Sequence, residues 1–109
     1  MVEGVGRRFQ RRQPRFRKVE FENSQVRVLR IDYGAHEKSV MHHHPNSVAA
    51  YLAAGAARMT TPHGTSQNTA IKPGVAEWTP AGGHQPENIG DKPFEVILVE
   101  LKGQKARAR

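Results

Sequence analysis

The chain contains no cysteine, so disulfides and thiolate ligands are both excluded, and any transition-metal site must use imidazole and oxygen donors. Aromatic residues are scarce at 6%, with a single tryptophan, so few large side chains are available to fill a core. No apolar run approaches the ~20 residues that span a bilayer. The basic N-terminus is not followed by the apolar segment that a secretory signal requires. The same gap after Arg7 and Arg8 argues against twin-arginine export. A soluble, cytoplasmic protein with no membrane partner is the expectation. With 109 residues, there is room for one core and no more.

Charge is unevenly placed. The formal excess of +7 comes from the ends: seven basic residues in 1–18 against Glu3, and four more in 102–109. Between them, six basic and nine acidic side chains leave the central stretch slightly negative. We therefore divide the chain into a basic N-terminal arm (1–18), a folded domain (19–102) and a basic C-terminal tail (103–109).

From Val19 onward, short β-branched or alternating runs are separated by Gly, Pro, Asn and Asp, and no window sustains a helical period. Gln25 to Tyr33 reads as a strand whose apolar parity changes at Leu29, which predicts a bulge there or burial on both faces. Pro62-His63-Gly64-Thr65 predicts a tight hairpin. Phe94 to Lys102 is apolar on both parities, as suits a strand covered on both faces. About eight such strands specify an all-β protein and leave sandwich, barrel and jelly roll open.

The chemistry lies in the six histidines. On a strand, residues two apart share a face at about 6–7 Å, so His42 and His44 can lean toward one ion while His43 points away. Pro45 ends or edges that strand, which places the pair near a rim. A solvated polar edge is the alternative for an isolated His-His-His run. His36 and His63 fall in loops or turns and read as surface residues.

Gly34, seven residues, His42-X-His44, three residues, Val48, six residues and Gly55 resemble the first cupin motif: Gly, five, His-X-His, three or four, Glu, six, Gly. Gly74, five residues, Pro80-X-Gly82, His84, three residues and Asn88 resemble the second: Gly, five, Pro-X-Gly, two, His, three, Asn. The resemblance, to small single-domain RmlC-like cupins, implies a jelly-roll β-barrel, a double-stranded β-helix. It also implies a metal held by His42, His44 and His84 at the barrel mouth. The first spacer is two residues longer and the second one shorter. Val48 stands where the family has its glutamate, leaving a three-histidine set similar to that of the thiol-oxidising cupins.

His84 and Asn88 are four apart and would share a face. Val48, Met59, Trp78 and Asn88 are the expected pocket-lining residues, with core roles the alternative for Met59 and Trp78. Three neutral imidazoles favour a borderline ion (Zn, Ni, Fe, Cu or Mn) and leave its charge uncompensated, so a small anionic ligand is expected. The second reading is a metal-free ligand-binding or sensing module. The third is nucleic-acid binding by residues 7–18, where Phe9 and Phe16 interleave with arginines. The resemblance further implies a homodimer. If the chain is an enzyme, it implies a metal-dependent oxygenase or isomerase, and no catalytic acid or base is identifiable from sequence.

Overall fold

The computed structural model describes residues 16–103, which form nine β-strands and no helix. The strands are β1 (Phe16–Glu22), β2 (Val26–Tyr33), β3 (His42–His44), β4 (Ser47–Tyr51), β5 (Gly55–Thr60), β6 (Ser66–Ile71), β7 (Ala76–Thr79), β8 (Gly82–Asn88) and β9 (Phe94–Leu101). They build two antiparallel sheets, ordered β1-β2-β9-β4-β7 and β3-β8-β5-β6. No helix of the described residues is long and apolar enough to cross a membrane. The expected all-β class is what forms, and β5 and β6 make the anticipated hairpin, Gly55 opposite Ile71 through Thr60 opposite Ser66.

Why two sheets face each other follows from parity. Leu29, Ile31 and Tyr33 of β2, Ala49 and Tyr51 of β4, and Phe94 and Val96 of β9 project inward. They meet Ala57 and Ile71 of the opposing sheet. Phe94 is the hub, with its ring 5.2 Å from that of Tyr33 and 6.4 Å from that of Tyr51. Strand β9 lies at the centre of the larger sheet, but only its inward face is buried: Glu95, Ile97 and Val99 on the outer face are half-buried, so the expected cover on both faces is not complete. The parity change at Leu29 is absorbed by its partner. Val28 and Leu29 are both buried, and the register shift lies in β1 between Val19 and Phe21, directly opposite them.

At one end of the interior Arg27 turns inward against Glu100. Its Nε and Nη2 both lie 2.8 Å from Oε1 of that buried carboxylate. On the outer face of the five-stranded sheet, Phe21, Val28, Val99, Val48 and Trp78 stand opposite one another in sequence across all five strands. Phe21 and Trp78 are each 56% exposed. Paired residues of antiparallel strands share a face, so this is one continuous apolar row.

The boundary expected at residue 18 falls inside β1, where Arg17 and Lys18 pair with Ile31 and Arg30. The remainder of the basic arm, residues 1–15, lies outside the described residues. So do residues 104–109 of the C-terminal tail.

Candidate functional site

Strand β3 is three residues long and pairs only with β8, with His42 opposite His84, His43 opposite Gly83 and His44 opposite Gly82. His42 and His84 therefore project to one face as direct neighbours, and His44 joins them across a position with no side chain. The ring centroids are 4.7 Å apart for His42 and His84 and 4.3 Å for His44 and His84. His43 projects to the other face and packs on Gly83. A Cβ there would sit 3.0 Å from His43 Nε2 and 2.8 Å from Pro62 Cγ, so glycine makes room for these two side chains. Gly74 has φ +81, the left-handed turn for which glycine is suited.

Backbone carbonyls set the tautomers of the β3 pair. His42 Nδ1–H donates to Val40 O at 2.8 Å, and His44 Nδ1–H donates to Pro45 O at 2.8 Å. Each ring therefore carries its lone pair on Nε2. His84 Nε2 lies 3.1 Å from His42 Nε2 and donates to it. Burial, with the neighbouring His44 and His42 second, pulls the His84 pKa down to about 3, so this imidazole is neutral at ordinary pH.

The histidines form part of the wall of a cavity of about 610 Å³ between the two sheets. Its remaining walls include Ile31, Tyr33, Tyr51, Met59, Phe94 and Val96. Met59 lines it as expected. Val48 does not, because β4 buries Ser47, Ala49 and Tyr51 and turns Val48 to the outer face. The inward neighbour, Ala49, is the residue that a four-residue spacer after His44 reaches.

Asn88 is not a cavity residue. Fully buried, it donates from Nδ2 to Tyr33 O and Lys92 O and accepts from Gly90 N, so it pins the turn after β8. Trp78 is not core: it borders the cavity, but its pairing with Val48 puts the indole on the exposed face. His36 is at the surface, 2.9 Å from Asp91. Among the cavity residues that the sequence reading missed are Tyr33, Tyr51 and Glu77, the last of them exposed and opposite Ala49 on β7. Alternation with Trp78 was the available signal for Glu77.

A metal fits this donor set in part. Two nitrogens bonded to one tetrahedral ion at zinc-like lengths stand about 3.3 Å apart, close to the 3.1 Å between His42 and His84. The third imidazole touches the pair, yet no group of three or more His, Asp or Glu side chains among the described residues is arranged around one point.

No family model matches the sequence and no curated protein matches it. Solved structures do. A cupin domain from Bordetella pertussis Tohama I superposes with a TM-score of 0.77 at 24% identity, covering 86% of this chain and 99% of that one. An RmlC-like cupin family protein with a double-stranded β-helix fold from Methanocaldococcus jannaschii gives 0.67 at 16% identity, covering 100% and 99%. A conserved protein with a double-stranded β-helix domain from Klebsiella pneumoniae gives 0.68 at 22%, covering 89% and 79%. The fold is thus the cupin double-stranded β-helix.

Two outcomes test this geometry. Without metal, Ala49→Glu buries an unpaired carboxylate and should cost about 3 kcal/mol or more in chemical denaturation. Val48→Glu, on the outer face, should cost about 1 kcal/mol; equal losses would contradict the alternation of β4. Between pH 6.5 and about 3 the unfolded chain protonates its residue 84 and the folded chain does not. Stability held above pH 6.5 should therefore fall as pH is lowered through that window, and His84→Asn should flatten the decline. The same slope in both proteins would refute a buried neutral His84.

Proposed function

We propose that this cupin binds a divalent transition-metal ion through His42, His44 and His84, and holds a small acidic ligand against it in the cavity. The observation that carries the reading is the pair of backbone bonds from Nδ1 of His42 and His44. They commit both Nε2 lone pairs beside His84 and provide the outer support that metal-bound imidazoles characteristically have. To join the set, His84 carries its proton on Nδ1 in place of Nε2, and His44 turns toward the pair.

A bound ion would supply a Lewis-acidic, positively charged centre at one end of a mostly apolar cavity. With no carboxylate at Ala49 its double charge stays uncompensated, which favours an anionic ligand. The chain's own residues position the imidazoles, and the walls formed by Tyr33, Phe94 and Val96 exclude water around the ligand body.

A metal-free ligand-binding cupin is the second reading, favoured by the His84 to His42 hydrogen bond that already satisfies two of the rings. Elemental analysis of untagged protein separates the two. Under the metal reading, His42→Ala, His44→Ala and His84→Ala should each lower occupancy about tenfold or more, and His43→Ala should retain it. Equal retention in all four variants would reject the site.

The cross-sheet row from Phe21 to Trp78 supports a further proposal, a homodimer that buries this face against a second copy. Val99→Arg, at the centre of the row, should shift the protein from dimer to monomer in sedimentation. A wild-type monomer at micromolar concentration would dismiss the dimer.

A further inference from the structure

At the wall contributed by the other sheet, the cavity has a second polar locus. Tyr51 is 8% exposed and borders the cavity. Its hydroxyl has no hydrogen-bond partner among the described residues, although a buried phenol ordinarily finds one. Glu77, on the adjacent strand β7, borders the same space and is itself exposed to solvent. It is the only Asp or Glu among the residues lining the cavity, and no Lys or Arg lines it. Lys72 borders the adjoining depression with Tyr51 and Glu77, yet Glu77 makes no ion pair among the described residues. Burial, and secondarily the Glu77 charge, push the Tyr51 hydroxyl up to about 12, which keeps it a protonated donor.

We infer that Tyr51 and Glu77 recognise a protonated amine on the cavity's ligand. Glu77 is exposed where it borders the cavity, so its attraction for a cation is on the scale of a surface carboxylate, and the buried, unpartnered Tyr51 hydroxyl beside it supplies the second contact. The phenol oxygen of Tyr51 can accept one of the ammonium protons. The histidines belong to one sheet and Glu77 to the other, so a ligand spanning the cavity meets imidazole at one end and carboxylate at the other. Taken with the proposed metal reading, on which its acidic end rests, the ligand class is a small amino acid whose amine and carboxylate are separated by an apolar chain.

The test titrates metal-loaded protein calorimetrically with ω-amino carboxylates, from aminobutyrate to aminohexanoate, and with the unsubstituted alkanoates of the same lengths. These chains are long enough that the amine does not chelate the ion itself. At one length or more the amine should tighten binding several-fold, the scale of a solvent-exposed ion pair. Glu77→Gln should abolish that advantage while leaving alkanoate affinity unchanged, and Tyr51→Phe should reduce it. An amine that adds nothing at any length, or an advantage that survives Glu77→Gln, overturns the inference. If the wild type takes up no metal, the metal reading falls by itself. The amine site is then read on the metal-free protein with n-pentylamine, whose binding Glu77→Gln must weaken several-fold; undetectable binding, or binding that Glu77→Gln leaves unchanged, overturns it.

Discussion

The pairing of β3 with β8 is the constraint on which the site depends. Three residues of β3 have no other strand to hold them, so the position of His42 and His44 is inherited from the register with His84 and Gly82. A slip of one residue would bring His43 to the inner face and turn the other two outward. Several local features hold the register. Pro45 follows the strand, Gly83 admits the close packing of His43 and Pro62, and the carbonyls of Val40 and Pro45 grip the two rings from either end of the segment. The same contacts that fix the backbone also fix the tautomers, so local fold and donor chemistry are one problem here.

Around that pairing the electrostatics are sparse. The nine acidic and six basic side chains of residues 19–101 are largely spent on the surface. Arg30 engages Glu20 and Glu95, and Lys102 engages Glu22. One charged pair, Arg27 with Glu100, closes the interior at an end of the barrel. What remains around the cavity is a cluster of three imidazoles, of which His84 is held neutral by burial, and a single, exposed carboxylate.

Much of this was legible in the sequence, for identifiable reasons. Glycine and proline punctuation marked the strands because turns constrain φ locally, and His42 and His44 followed from a two-residue period that needs no tertiary knowledge. The bulge near Leu29 was visible as a parity conflict, but which strand would absorb it depends on pairing, and β1 does. The errors arise where the period restarts. Pro45 and Asn46 interrupt the chain between β3 and β4, so parity cannot be carried across them, and Val48 was assigned the face that Ala49 occupies. Asn88 has the parity of His84 but sits at the far end of β8, beyond the cavity. Trp78 drew attention by size, when alternation in a four-residue strand makes its neighbour Glu77 the inward residue. Its placement opposite Ala49 is a contact between positions 28 residues apart, which no local pattern encodes.

The division of the cavity's polar groups between the two sheets bears on how such a domain can diverge. The imidazoles are fixed by contacts within β3, β8 and the residues flanking them, whereas Glu77 is fixed by β4 and β7. A substitution on β7 can change what the far wall offers without disturbing a hydrogen bond at the near one. The reverse holds for a change at Val40 or Pro45. Mutational drift on one sheet is therefore uncoupled from drift on the other, so a barrel of this kind can replace the polar groups of one wall while keeping those of the other.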